Sequence, residues 1–137
     1  MTTFAFSNYW SILYKLLTER NTMTSILIID DDKLLRTMGK DMLTTKGYEV
    51  FTAENGEQGV TVLKSHDVGT VLLDLVLERE SGLDLIPEIK ATSPGSKIIM
   101  LTSDSSSESM ERARELGASD YITKPVTVNK LLGLLDS

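Results

Sequence analysis

The 137-residue chain predicts an α/β fold, a doubly wound, five-stranded parallel sheet with helices on both faces. From Ser25 onward, short apolar runs alternate with segments of helical periodicity, which is typical of successive βα units. The first apolar run is continuous and rich in isoleucine, as expected of a strand buried on both faces. Right-handed connections place the helices on both sides of such a sheet and functional groups at the carboxyl ends of its strands.

The first βα unit opens with the apolar run Ile26–Ile29, which is predicted to be strand one. The next segment, Lys33–Lys46, is predicted to be a helix that ends before Gly47, since glycine suits the position after a helix. Its apolar side chains recur at i, i+3 and i+7, as on one face of a helix: Leu35, Met38 and Met42.

The second unit combines a strand at Tyr48–Ala53 with a helix at Glu57–Lys64, whose Val60 and Leu63 are expected to face the core. A third strand follows at Val68–Leu73 and places Asp74 at its carboxyl end.

The third helix is predicted to begin within Ser81-Gly82-Leu83-Asp84 and to pack through Leu83, Ile86 and Ile89. Pro87 is compatible with this helix if it falls near the first turn, where a missing N–H matters least. A turn at Pro94-Gly95 leads into the fourth strand, Lys97–Leu101.

The capping-box pattern S-x-x-E from Ser105 to Glu108 predicts the start of the fourth helix, and Gly117 predicts its end. This helix is expected to use Met110, Ala113 and Leu116 for packing. The fifth strand is predicted at Tyr121–Thr123 and the last helix at Val128–Leu135.

Composition excludes several function classes. The net charge of −6 argues against direct binding of nucleic-acid phosphates. With no cysteine, disulfides, thiolate zinc sites and thiol catalysis are unavailable, and the single histidine, His66, is expected to be an exposed bystander. No apolar run approaches the ~20 residues of a membrane span, so we expect a cytoplasmic protein without membrane insertion.

The first 22 residues are expected to form an N-terminal extension, and residues 23–137 the folded domain. The extension is rich in aromatic residues and lacks the features of a signal peptide. Two interpretations stay open. Asn8 is placed to cap a short docking helix, in which Trp10, Leu13, Leu16 and Leu17 share a face. Alternatively, the native chain starts at Met23, directly before the first strand.

Acids, a hydroxyl and an amine follow separate predicted strands. Strand one runs into Asp30-Asp31-Asp32, strand three into Asp74, strand four into Thr102 and strand five into Lys124-Pro125. Carboxylates packed together repel one another unless a cation neutralises them. Oxygen ligands without histidine or cysteine favour Mg²⁺, which keeps positions open for phosphate oxygens. A carboxylate beside such a metal can act as a nucleophile in phosphoryl transfer.

These motifs resemble the receiver domains of two-component response regulators, over about Ser25 to the C-terminus. The matching stretches are Ile26-Leu27-Ile28-Ile29 before the aspartates, Val71-Leu72-Leu73-Asp74, Ile99-Met100-Leu101-Thr102-Ser103 and Tyr121-Ile122-Thr123-Lys124-Pro125. The resemblance implies a flavodoxin-like sheet of strand order 2-1-3-4-5. It also implies a phosphoacceptor switch rather than an enzyme, phosphorylated by a sensor histidine kinase or a phosphotransfer protein.

The resemblance also assigns roles to individual residues. It implies that Asp31 binds Mg²⁺ directly, Asp30 largely through water, and that Asp74 and the Val76 carbonyl complete the protein ligands. Asp74 would be the phosphoacceptor and Lys124 its partner, with a cis Lys124-Pro125 peptide.

The same resemblance describes how the signal would leave the site. Thr102 would move to hydrogen-bond the phosphoryl group, and Tyr121 would rotate inward from solvent. The signal would reach a downstream protein or a second copy through helix 4, strand 5 and helix 5, a surface that carries Met110, Arg114, Tyr121 and Lys130.

The sequence departs from the family pattern at several points. Glu78 stands where proline is frequent, so the loop Glu78-Arg79-Glu80 is expected to be more polar and more mobile. The resemblance implies that Val76 and Asp104 occupy positions that control water access to the phosphoryl group, where Asp104 would either orient water or repel the phosphoryl group. Val126 follows the proline where an aromatic is frequent.

Two alternatives stay open. A phosphohydrolase of the haloacid-dehalogenase type would use Asp30 as its nucleophile, since Asp30-Asp31-Asp32 has the required Asp-x-Asp spacing. Alternatively, the chain is the receiver half of a larger DNA-binding or enzymatic regulator. The sequence does not identify the cognate kinase, the downstream target, the phosphoryl lifetime or the oligomeric state.

Overall fold

The computed structural model describes residues 9–14, 25–104 and 106–136. Its strands are β1 (Ser25–Ile29), β2 (Glu49–Ala53), β3 (Thr70–Asp74), β4 (Lys97–Thr102) and β5 (Asp120–Thr123). The helices between and after them are α1 (Lys33–Thr45), α2 (Gly56–Ser65), α3 (Gly82–Thr92), α4 (Ser107–Leu116) and α5 (Val128–Leu135). All five predicted strands and all five predicted helices are present, with ends within two residues of their predicted positions wherever both ends were predicted.

The five strands form one parallel sheet in the order β2-β1-β3-β4-β5. This confirms the predicted fold class and strand order. Every residue of β1 and β3 is buried, as their continuous apolar sequence predicts for central strands. The strand order brings the carboxyl ends of β1, β3, β4 and β5 to one edge of the sheet.

The two faces of the sheet have separate cores. One core packs α2, α3 and α4 against the sheet through side chains such as Leu63, Ile86 and Ala113. The other packs α1 and α5 through Leu43 and Leu131. Alternate residues of each strand point to opposite faces, so both cores draw on the same apolar runs.

Helix α1 packs less closely than its apolar pattern suggests. Only Leu43 of this helix is buried, while Leu35 and Met38 are 41% and 58% exposed. The helix approaches β1 at Gly39, where a Cβ would lie 3.1 Å from Cδ1 of Ile28. An apolar cavity of about 750 Å³ separates α1 from α5, and Leu35 and Met38 line it.

Two helix signals differ from their predicted positions. Pro87 was expected near the first turn of its helix, but it is the sixth residue of α3, where its absent N–H leaves the Leu83 carbonyl without its helical donor. The N-cap of α4 is Ser106 rather than Ser105, which lies outside the described residues. The Ser106 hydroxyl accepts a hydrogen bond from the Ser109 N–H. The start of α4 is therefore capped through Ser106 and Ser109 rather than through the predicted pair Ser105 and Glu108.

Three smaller expectations concern the N-terminal segment, His66 and membrane-spanning helices. Residues 9–14 are helical, with exposed Tyr9, Trp10, Ile12 and Tyr14. Asn8, Leu16 and Leu17 lie outside the described residues, so the docking face stays a prediction. His66 is exposed as expected, and its ring stacks on Phe51 with centroids 4.4 Å apart. None of the helices in the described ranges has the length and hydropathy needed to cross a bilayer.

Candidate functional site

Asp30 lies directly after β1 and is 5% exposed. Its Oδ1 accepts a hydrogen bond from the Asp32 N–H at 2.9 Å, and its Oδ2 lies 3.5 Å from Nζ of Lys124. Burial raises the pKa of this carboxyl group more than the Asp32 N–H and the Lys124 charge lower it, and the charge of Asp74 raises it further. The protein therefore holds Asp30 where a second positive charge would be favourable.

Asp74 is the last residue of β3 and is 8% exposed. Its Oδ2 accepts a hydrogen bond from Nζ of Lys124 at 3.1 Å, and its Oδ1 accepts one from the Val76 N–H at 3.1 Å. Lys124 follows β5, two strands from β3, and precedes a cis peptide bond to Pro125, as expected. One lysine therefore joins the carboxylates of Asp30 and Asp74.

Lys124 remains a cation in this environment. Burial alone would lower its pKa, but the hydrogen bond to Asp74 and the charges of Asp74 and Asp30 outweigh burial, so its pKa is raised. Its single charge faces two nearly buried carboxylates.

Asp31 completes an acidic cluster with Asp30 and Asp74. One carboxylate oxygen from each of the three lies within 4.8 Å of the other two, close enough to hold a metal ion between them. Asp31 is exposed, whereas the other two are buried. The donors are all carboxylate oxygens, the set that hard cations such as Mg²⁺ and Ca²⁺ prefer.

Asp32, the third aspartate of the run, has a different task. Its Oδ1 accepts hydrogen bonds from the Leu34 and Leu35 N–H groups and so forms the N-cap of α1. Asp30 and Asp31 therefore lie in the acidic cluster, whereas Asp32 caps a helix.

Thr102 and Tyr121 meet at the backbone of Asp104. Thr102 is 1% exposed, and its hydroxyl accepts a hydrogen bond from the Asp104 N–H at 3.1 Å. The Tyr121 hydroxyl donates to the Asp104 carbonyl at 2.5 Å. The Tyr121 ring is partly buried and packs against the core on the α2, α3 and α4 side. From the sequence, this ring was expected to point into solvent, but here it already points inward.

The Asp104 side chain caps the start of α4. Its Oδ1 accepts from the Ser106 N–H and its Oδ2 from the Ser109 hydroxyl, each at 2.8 Å. The Ser106 backbone hydrogen bond and then the Ser109 hydroxyl lower the pKa of this carboxyl group. Asp104 is thus engaged with α4 through both oxygens of its side chain.

The loop after β3 is held by hydrogen bonds within itself and to α2. Its ends join through a bridge between Val76 and Ser81, and the Leu77 N–H donates to the Glu80 carbonyl at 3.2 Å. The side chain of Glu80 also accepts a hydrogen bond from the Gly56 N–H at 2.5 Å. Sequence reasoning missed this contact because it joins residues 24 positions apart.

Comparison with known proteins gives the family. The model of the response regulator receiver domain matches residues 26–136. The chain belongs to this family. It is similar to the chemotaxis protein CheY of Halobacterium salinarum, with 35% identity over 73% of this chain and 83% of that protein.

Other relatives are larger proteins. The chain is 37% identical to the transcriptional regulatory protein GlrR of Escherichia coli over 81% of its own length, but it spans only 25% of GlrR. A response regulator from Burkholderia pseudomallei, solved with a phosphorylated aspartic acid, a calcium ion and citrate, superposes with a TM-score of 0.78 at 28% identity. This match covers 82% of this chain and 66% of that one.

Proposed function

We propose that this receiver domain, residues 23–137, is a phosphoacceptor switch in which Asp74 receives a phosphoryl group from a histidine kinase or a phosphotransfer protein. One observation carries the proposal. The Asp74 carboxylate lies at the centre of the site, with Lys124 on one oxygen, the Val76 N–H on the other, and Asp30 and Asp31 within metal-binding distance.

The chain's own groups suit nucleophilic attack. A carboxylate oxygen of Asp74 would attack phosphorus, the P–N bond of the donor phosphohistidine would break, and the imidazole would leave with the bonding electrons. Lys124 already contacts Asp74 and keeps its positive charge, so it can pair with the phosphoryl oxygens as they approach. Thr102 is the hydroxyl that would complete their hydrogen bonding.

The donor set fits Mg²⁺. We propose that Asp30, Asp31, Asp74 and the Val76 carbonyl hold it, since three carboxylates converge, and the single charge of Lys124 faces two of them. Bound there, the ion would supply positive charge for the transferring phosphoryl oxygens. The Burkholderia pseudomallei relative supports both points, because it contains a phosphorylated aspartic acid and a calcium ion.

The signal would leave through the surface formed by α4, β5 and α5. Asp104 contacts Thr102 and Tyr121 through its backbone and caps α4 through its side chain, so movement of Thr102 would reach all of them. We propose that a downstream protein or a second copy of this chain binds there, in contact with Met110, Arg114 and Lys130. No direct contact with nucleic acid is proposed, since the chain's net charge is −6.

The test is covalent labelling with acetyl phosphate and Mg²⁺, followed by mass spectrometry to locate the phosphoryl group. Wild type should gain one Mg²⁺-dependent phosphoryl group on Asp74, and Asp74→Asn should gain none. Asp67→Asn is the control, because Asp67 is exposed and lies before β3, away from the site. Undiminished labelling of Asp74→Asn would refute the assignment.

The phosphohydrolase alternative fits less well. It requires Asp30 as nucleophile, but Asp30 is buried with a raised pKa and gives its oxygens to the Asp32 N–H and to Lys124. Phosphate found on Asp30 in the same experiment would favour it. The alternative of a receiver within a larger regulator stays open, since GlrR is four times the length matched here.

A further inference from the structure

The loop between β3 and α3, residues 75–81, holds the backbone beside Asp74 in place. The Val76–Ser81 bridge closes the loop, and the Gly82 N–H donates to the Leu75 carbonyl at 2.7 Å. A Cβ on Gly82 would overlap the Asp74 carbonyl, so only glycine permits this approach. The loop is thus fixed at its two ends, close to Asp74.

Glu80 fixes the same loop to a different part of the fold. Its Oε1 accepts a hydrogen bond from the N–H of Gly56, the first residue of α2, at 2.5 Å. A carboxylate at the first turn of a helix also interacts favourably with the helix dipole. A Cβ on Gly56 would overlap Cδ2 of Leu85 and would lie 3.1 Å from Oε2 of Glu80, so a larger residue there would force both side chains to shift.

We propose that Glu80 is a positioning residue that holds the Val76 segment ready for Mg²⁺. The inference rests on the proposed function, because it concerns the same metal site. A small cleft of about 240 Å³ is lined by Asp31 of the acidic cluster and by the loop residues Glu78 and Glu80. Without the Glu80–Gly56 bond, the loop would lose its hydrogen bond to α2 and would keep those at its ends, among them the bond from the Leu75 N–H to the Leu101 carbonyl at 3.4 Å. Metal binding would then have to order the part of the loop that Glu80 no longer holds.

The size of the expected effect follows from this role. Groups that orient metal ligands without touching the metal typically change its affinity about 10- to 100-fold when they are replaced. Glu80 acts on the ligand-bearing loop as a whole, so we expect a loss in Mg²⁺ affinity near the lower end of that range. Binding energy is lost because the part of the loop that Glu80 no longer holds must be ordered when the metal binds.

The experiment separates the hydrogen bond from the charge. Glu80→Gln keeps an acceptor oxygen at the same reach and loses the charge, whereas Glu80→Asp keeps the charge and is too short to reach Gly56. Mg²⁺ affinity is measured by calorimetry, and the Gly56 amide is followed by NMR. We expect Glu80→Asp to lose about ten-fold in affinity and to shift the Gly56 amide proton upfield, with Glu80→Gln much closer to wild type.

Glu78 provides the matched control. It lies in the same loop and is exposed, so Glu78→Gln and Glu78→Asp make the same chemical changes where no hydrogen bond to α2 is lost. Both should bind Mg²⁺ nearly as wild type does. Equal losses in Glu80→Gln and Glu78→Gln, with Glu80→Asp unaffected, would show that only charge matters and would overturn the inference.

Thermal melting with and without Mg²⁺ tests for a purely structural role. Positioning predicts that Glu80→Asp reduces the stabilisation gained on adding Mg²⁺. A structural role would lower the melting temperature equally in both conditions and leave that gain intact, which would overturn the inference.

If wild type itself binds no Mg²⁺, the proposed function fails and the inference with it. If wild type binds and Glu80→Asp binds equally well, only the inference fails.

Discussion

The two halves of the site differ in what holds their side chains. In the charged half, Asp30 and Asp74 each place one oxygen on a backbone N–H and the other near Lys124. In the switch half, Thr102 accepts a hydrogen bond from the backbone N–H of Asp104, and Tyr121 donates one to its backbone carbonyl. The first half is organised around charge, and the second around the position of a single loop residue.

This difference shows how binding and signalling can be separated within one site. Asp30 and Asp74 already lie beside Lys124, so the proposed binding of a cation and a phosphoryl group would need little rearrangement there. Thr102 cannot move towards Asp74 without affecting Asp104, because its hydroxyl accepts the Asp104 N–H. Asp104 in turn contacts Tyr121 and the first turn of α4, so under the proposed function one displacement would reach the output surface.

The largest expected effect lies in the charged half, at Asp31, and its neighbour Asp32 provides the comparison. Asp31→Ala should abolish Mg²⁺-dependent labelling of Asp74, because it removes one of three clustered carboxylates. It should not lower the melting temperature in metal-free buffer, since Asp31 is exposed and its removal relieves repulsion. Acetyl phosphate labelling and thermal melting in chelator measure the two effects.

Asp32→Ala is the matched comparison, because it removes the same group one residue further on. Asp32 caps α1, so its replacement should cost about 1 kcal/mol of stability and leave labelling largely intact. A fall of many degrees for Asp31→Ala in metal-free buffer would instead give Asp31 a structural, hydrogen-bonded role.

The charged half was easier to predict from the sequence than the contacts that support it. Parallel strands bring their carboxyl ends to one edge, so polar residues after apolar runs at Asp30, Asp74, Thr102 and Lys124 indicate a common site. Their order along the chain was enough. Asp30, Asp31, Asp74 and Lys124 come together as predicted.

Other contacts leave no local pattern. The Glu80–Gly56 bond joins a loop to a distant helix, and neither residue is unusual in its own segment. The start of α4 lies within a run of serines, each a good N-cap, and the side chain of Asp104 binds at Ser106 and Ser109. The exposure of Leu35 and Met38 on α1 is likewise not indicated by the helical period of its apolar residues.

The next prediction tests whether the switch half acts separately. Thr102→Val keeps the shape of the buried side chain and removes the hydroxyl that accepts the Asp104 N–H. Beryllofluoride with Mg²⁺ should still bind at Asp74, but amide shift changes on α4 and near Tyr121 should be largely lost. Chemical shifts of wild type and variant, with and without beryllofluoride, provide the comparison.

Thr123→Val is the control, because Thr123 pairs with Thr102 across the sheet and is likewise the last residue of its strand. It should leave the shift changes on α4 intact. Wild-type shift changes confined to residues around Asp74, with none on α4 or near Tyr121, would contradict the proposed route of output.

The smallest expected effect is the pH dependence of the metal-free charged half. The folded-state pKa of Asp30 is raised above its ordinary value of 3.8, chiefly by burial. Its contribution to stability is therefore complete below pH 3.8 and is lost as the pH rises through the folded-state pKa. Asp30→Asn does not titrate, so in chelator its melting temperature relative to wild type should rise between pH 4 and pH 7, by a few degrees.

Mg²⁺ should reverse this order at pH 7, because wild type then gains a cation that Asp30→Asn holds less well. The difference in melting temperature between Asp30→Asn and wild type could instead stay constant across the pH series. That result would show that Lys124 fully compensates for the burial of the Asp30 carboxylate, so the charged half would need no metal to balance its negative charge.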